Sequence, residues 1–352
     1  MRAIDRRRFL LGAAALSATP WWAGLGFAAS RFDLQALKGG WKRRLADVSA
    51  MGKIPLIDVE SSFPAWKFDL DAFKTVMDEG GLALSCLSAM VQGKEARKGD
   101  VWDDGAQDLM RAAPERFIPT TVSAIYPVFT QAPGKFLDET FRHAEQDGYA
   151  LLGEFEFRHY PSPSEYKRGE MYRDVFIPLN GEFGHRLFAF SAKTGLAFQI
   201  HYEIEDQYLL ALEEMLAAYP KAKVIWCHLA QVRYASRAPG YGPAYVRKLI
   251  ETYPNLWFDT AFGAYDSHYP GSQERHARVW ESQGVVKKDW RDVIEHYPWR
   301  FLAGLDLGGD RMDEVVKKLA DYRSFLSNFS PATQAVVGYR AAWKLLFSEE
   351  IA

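Results

Sequence analysis

Two cysteines in 352 residues exclude a disulfide-built scaffold. Cys86 and Cys227 fall on the second and sixth of the strands read below, nearly opposite each other in a closed barrel, so no bridge between them is expected. Positive charge is not in excess: 43 Lys and Arg against 45 Asp and Glu give a net charge of −2, with no basic footprint for nucleic acid. No Gly-rich phosphate loop follows any apolar run, which removes weight from nucleotide cofactors. A convincing membrane span is missing too, because the one candidate run, from Phe9 to Ala28, is broken by Pro20 and only weakly hydrophobic.

That run does carry another signal. DRRRFLLGAAALSATPWWAGLGFAAS has an arginine cluster, then Phe9-Leu10, then small residues at Ala28 and Ala29, and it looks like a twin-arginine export signal. The expectation is a signal over 1–28, a single domain over 29–352, a periplasmic location and no stable membrane span after processing. Removing 1–28 takes away four Arg and one Asp, leaving 39 basic against 44 acidic residues. The triplet Asn328-Phe329-Ser330 matches a glycosylation acceptor but sits in a helical stretch, so chance is the better reading.

What is present is alternation. Short apolar runs at 54–61, 82–89, 117–125, 149–157, 196–203, 222–229, 255–262 and 300–307 read as eight strands. Between them lie stretches with apolar residues at i, i+3 and i+4, such as DLDAFKTVMDEGG and DQYLLALEEMLAAYP, several ending in Gly or Tyr-Pro as helices do. Eight such units in a chain of this size predict an α/β fold, a closed (β/α)8 TIM barrel. A last helix, ATQAVVGYRAAWKLLF, follows.

Barrel chemistry gathers at the carboxyl ends of the strands. Those ends hold Asp58, Glu60 and Ser62 on the first strand, Glu154 and Glu156 on the fourth, His201 on the fifth, His228 on the sixth, Asp259 on the seventh and Asp306 on the eighth. In IPLIDVESSF the strand period of two puts Asp58, Glu60 and Ser62 on one side. Polar groups ending apolar strands are costly unless they are paired or bind a cation. Imidazole and carboxylate together suit a divalent metal, so Glu60, Glu154, His201, His228 and Asp306 are the candidate ligands. A lone histidine or carboxylate at a strand end is an ordinary satisfied polar group, and only convergence from several strands carries weight.

The constellation resembles the amidohydrolase superfamily, and within it the amidohydrolase-2 group that includes aminocarboxymuconate semialdehyde decarboxylase-like enzymes. The resemblance rests on PLIDV, His201, KVIWCHL with His228, YPNLWFDTAF, and RFLAGLD with Asp306. It implies metal ligands from the fifth and often the sixth strand, and Asp306 as general base. The family's first strand usually ends Asp-x-His-x-His, whereas this chain reads Asp58-Val59-Glu60-Ser61-Ser62, with Glu60 and Ser62 where the two imidazoles belong.

Three readings follow. Glu60 replaces an imidazole in an oxygen-rich site for Zn, Mn or Fe; or the metal is lost and acid–base chemistry at Asp306 with His228 opens a lactone or decarboxylates; or the barrel only binds a small molecule. The expectation is an enzyme, a hydrolase or related carboxy-lyase acting on a small carbonyl, lactone or carboxylate substrate, with Asp306 and His228 catalytic. Arg158, His159, Arg233 and Tyr265 are the candidate substrate-binding residues, with Arg158 and His159 favoured because they directly follow the fourth strand. No nucleic-acid or separate cofactor-binding site is expected, and a homo-oligomer stays open. His143, His185, His276 and His296 are assigned no chemistry.

Overall fold

The computed structural model describes residues 32–64, 68–92, 96, 98–308 and 314–351. The export segment read at 1–28 lies outside them. Among the described residues, no helix is long and apolar enough to cross a membrane.

Eight staves form the barrel, and each pairs with the next. The first, β1 (Leu56–Phe63), runs parallel to the second, β2 (Leu82–Ala89). The fourth stave, β3 (Leu151–His159), carries a short antiparallel appendage, β4 (Val175–Phe176), and pairs in parallel with the fifth, β5 (Ala197–Tyr202). Then follow β6 (Lys223–Trp226), β7 (Leu256–Asp259), a hairpin of β8 (Trp280–Ser282) and β9 (Val285–Val286), and the eighth stave, β10 (Phe301–Leu302). Single bridges complete the circle: Ser85 to Phe117, Thr120 to Leu151 and Ala124 to Phe155 insert the third stave, and Ser61 to Leu307 joins the eighth to the first. Asp306 N–H donates to Glu60 O at 2.9 Å across that last seam.

The third stave departs from the expected strand at 117–125. Pro119 has no N–H to give a ladder, so the segment stays extended and makes isolated bridges only. The eighth stave is likewise shorter than read, two residues of regular strand followed by one bridge at Leu307.

Apolar residues fill both faces of the staves, as parallel strands covered by helices require. Every position of β2 is buried, as are Leu56, Ile57 and Val59 of β1. Each buried Leu, Ile or Val among them contributes about 1.5–3 kcal/mol. The helix Leu70–Gly80 shows the local logic: Asp69 caps it by accepting from Ala72 N–H, Leu70, Phe73 and Met77 face inward at helical spacing, and Gly81 ends it at φ 69°. The closing helix contains a π-turn, Val336–Arg340, where Gly338 lies against Pro55 O; a Cβ there would sit 2.9 Å from that oxygen.

Cys86 and Cys227 are both buried and unbridged. Asn328 is committed to structure, with its amide donating to Gly284 O and its oxygen accepting from Val286 N–H.

Candidate functional site

β1 ends in a column of polar side chains at three depths. Asp58, fully buried, accepts from Leu305 N–H, Glu60 N–H and Ser85 Oγ, tying the first stave to the second and eighth. Burial pushes its carboxyl up to about 6 against those hydrogen bonds. Two residues on, Glu60 reaches the cavity at the barrel mouth; two more, Ser62 lines the same cavity with its hydroxyl on Met90 Sδ at 3.2 Å. The column therefore begins as a structural brace and ends as a pocket wall.

Across that cavity of about 720 Å³ stand Glu154, His201, His228 and Asp306. Two sets of potential ligand atoms, Glu154–His201–His228 and Glu60–His228–Asp306, each lie within 4.8 Å of one another and share His228. His201 Nδ1 is 2.8 Å from Glu154 Oε1, and His228 Nε2 is 3.5 Å from the same oxygen. Glu60 Oε2 is buried with no hydrogen-bond partner.

His228 is held in an unusual backbone conformation at φ 63°, just past the end of β6. Asp259 fixes it by accepting from His228 N–H at 2.8 Å. His228 Nδ1 faces Ala261 O at 2.8 Å, and a carbonyl can only accept, so Nδ1 carries a proton and Nε2 is the nitrogen presented to the cavity. Asp306 also has a positive φ, 48°, a region Asp tolerates better than most residues. Lys318 donates to the Asp306 carbonyl at 2.6 Å.

The electrostatics fit a site built around positive charge. Burial, then Asp306 and Glu154, push the Glu60 carboxyl well above its usual range. Burial would raise Glu154 as well, but hydrogen bonds from His201 and His228 outweigh it and hold that carboxyl down at about 2. Burial would lower both imidazoles; Glu154 and Glu203 instead bring His201 up to about 10, and Glu154 and Asp306 bring His228 up to about 9.

A pH dependence follows. The raised imidazoles contribute stability that is complete below about 6.5 and lost as pH rises through about 9 to 10. Seen from Glu154, the same pairs lose their contribution only on acidification toward about 2. Chelator-treated protein is expected to melt at lower temperature at pH 9.5 than at pH 6.5, and Glu154→Gln is expected to shrink that difference. A difference that persists in the variant would contradict the assignment.

The substrate-binding candidates divide. His159 lines the cavity, with Nδ1 on Arg173 O at 2.9 Å; burial, then Arg173, His201 and Arg233, push its pKa well below the usual value, leaving it neutral. Arg158 does not line it. The register of β3 against β5 slips between Glu156 and Arg158, a bulge that turns the guanidinium away onto Glu205, Asp174 and the face of Tyr160. Tyr265 is also outside the lining, with its ring under Arg275 at 4.0 Å. Arg233 lines the cavity, but its guanidinium is engaged by Glu203 and by the carbonyls of Tyr160 and Pro161.

Three residues at or behind the pocket escaped the sequence reading. Arg173, in the long loop after β3, forks onto Glu156. Glu203 stands beside His201. His276, given no role above, lines a neighbouring cavity of about 660 Å³ that shares Ser162, Arg168, Arg233 and Asp306 with the first. Only Glu203 had a signal in the chain, its spacing of two from His201.

An amidohydrolase family model matches residues 100–299, a span that includes Glu154, His201 and His228 but neither Glu60 nor Asp306. No curated protein sequence matches. Among solved structures, the chain is similar to 2,6-dihydroxybenzoate decarboxylase from Rhizobium, at 12% identity over 84% of this chain and 99% of that one, TM-score 0.52. A 2,6-dihydroxybenzoate decarboxylase complexed with 2,6-dihydroxybenzoate gives 13% identity over 84% and 99%, TM-score 0.50. The 4-oxalomesaconate hydratase from Rhodopseudomonas palustris gives 13% over 91% and 93%, TM-score 0.48. For the two decarboxylases, at these identities, the likeness is one of fold, the TIM barrel.

Proposed function

The chain belongs to the amidohydrolase family, and on that premise we propose that it is a metal-dependent hydrolase acting on a small carbonyl, lactone or carboxylate substrate at the mouth of its barrel. The observation that supports this reading is the pair of interlocked donor sets joined at His228, with the buried, unpartnered Glu60 oxygen among them. These residues fit a divalent ion: Glu60, Glu154, His201, His228 and Asp306 would hold it, and the mix of carboxylate and imidazole suits Zn, Mn or Fe. Ser62, a neutral hydroxyl turned to Met90, is not in either donor set.

Such an ion supplies Lewis acidity to a carbonyl oxygen and to water. The side chains do the rest. Asp306 accepts the proton of the attacking water and later returns it to the leaving group. His228, with its Nδ1–H held by Ala261 O, would keep Nε2 unprotonated and aimed at the ion as one of its ligands. Neutral His159 and the Arg173–Glu156 pair wall the far side.

Plasma mass spectrometry on protein expressed in metal-replete medium, with turnover of a lactone and ester panel, tests this. Near-stoichiometric metal with chelator-sensitive turnover is expected. Metal-free protein that still turns over a lactone would replace this reading with metal-independent acid–base chemistry, and no turnover at all would leave a binding barrel. The arginine cluster at Arg6–Arg8 supports delivery of this enzyme to the periplasm; retention of an Arg6→Lys/Arg7→Lys variant in the cytoplasm, read by fractionation, is the check.

A further inference from the structure

His201 has carboxylates at both ring nitrogens. Nδ1 meets Glu154, and Nε2 meets Glu203 Oε1 at 3.2 Å. Glu203 follows β5 by one residue and is 6% exposed, so its orientation is set by its partners. Arg233 Nε lies 2.9 Å from the same Oε1, as an ion pair rather than an aligned hydrogen bond, and Tyr160 N–H adds a contact at 3.3 Å. Arg233 in turn is anchored by Nη1 on Tyr160 O at 2.9 Å and Pro161 O at 2.7 Å. Backbone past the fourth stave thereby fixes a guanidinium, the guanidinium fixes a carboxylate, and the carboxylate fixes one face of the imidazole.

We infer that Glu203, locked by Arg233, is a positioning residue that holds the Nε2–H of His201 and so commits Nδ1 to the site shared with Glu154 and His228. The alternative role for Arg233, gripping a substrate carboxylate, would have to compete with three partners it already has. A ligand imidazole needs such an outer partner because the ring can otherwise flip or swap its proton between nitrogens, and loss of the partner typically weakens metal binding 10–100-fold. Among the candidate ligands Glu203 contacts His201, and because its loss would also release Arg233, the His201 ring proton is read beside metal affinity.

The inference rests on the proposed site, and two measurements keep its failure separate from failure of that reading. In chelator-treated, ¹⁵N-histidine-labelled full-length protein, the His201 Nε2–H proton, assigned by its loss in His201→Asn, is expected in the wild type. It is expected to persist in Glu203→Gln, which keeps an acceptor, and to vanish into exchange in Glu203→Ala; its survival in Glu203→Ala would overturn the inference. Co²⁺ titration of the same proteins, followed by visible absorption, is expected to show Glu203→Ala binding about 10–100-fold more weakly. Glu203→Gln should lose less than about tenfold, since a neutral acceptor keeps roughly half the strength of a charged one. If Glu203→Ala does not fold, Glu203→Met, which fills the volume without an acceptor, carries both measurements. Equal Co²⁺ affinity in wild type and the folded non-accepting variant would also overturn it. A wild type that binds no Co²⁺ would sink the metal reading while the ring proton still decides the role of Glu203.

Discussion

Replacing Asp306 with Asn is expected to lower kcat/KM by about 10²–10⁴-fold on any lactone or ester that the wild type hydrolyses, the range for losing a positioned general base. The fold should survive the change. Asn tolerates the φ of 48° as well as Asp does, and the backbone contacts, from N–H to Glu60 O and from Lys318 to the carbonyl, are kept, while the long ion pair of the carboxylate with Lys318 Nζ at 3.9 Å is given up at small cost. The backbone contacts are not altered by exchanging a carboxylate oxygen for an amide. A thermal midpoint within about 1–2 °C of wild type is therefore expected, equivalent to about 1 kcal/mol in a chain of this size. Activity within a few-fold of wild type would remove Asp306 from its role and the hydrolytic assignment with it.

Residues at strand ends were legible because the strand period is rigid. Once 54–61 and 196–203 read as staves, Glu60 and His201 had to reach the mouth, and closure of eight staves had to bring them near His228 and Asp306. The reading failed where the period itself broke. Arg158 has the same parity as Glu154 and Glu156, and only the bulge after Glu156, which no residue type announces, sends it to Glu205 instead. Likewise nothing in GEMYRDVF shows that Arg173 folds back onto Glu156, because that contact depends on the path of a loop. Arg233 lies at the cavity, yet its partners, two carbonyls and Glu203, are 30 to 73 residues away in the chain and could not be assigned from it. Pro119 is the opposite case: the residue that interrupts the third stave was visible, and its consequence, bridges in place of a ladder, follows from its missing N–H.

Glu60 decides what the altered first strand means, and its replacement is expected to move two observables in opposite directions. If its buried carboxylate helps hold a cation, Glu60→Ala leaves the remaining donors short of one charge. Breaking a buried ionic contact costs about 3–5 kcal/mol, which at 1.4 kcal/mol per decade weakens metal binding by roughly 100-fold to a few thousand-fold. Metal recovered with the protein is expected to fall from near-stoichiometric to trace. The chelator-treated protein should respond in the other sense. There Glu60 is desolvated and crowded by Asp306 and Glu154, which is why its carboxyl is pushed well above the usual range, and Glu60→Gln removes a group that is costly to ionise. The metal-free Glu60→Gln protein is thus expected to melt no lower than metal-free wild type at pH 8, while binding metal more weakly. A remnant site predicts something different: no metal in either protein, and the same melting shift. Metal loss on substitution, coupled to an undiminished metal-free midpoint, is the combination that only a working carboxylate ligand at the end of IPLIDVESSF produces.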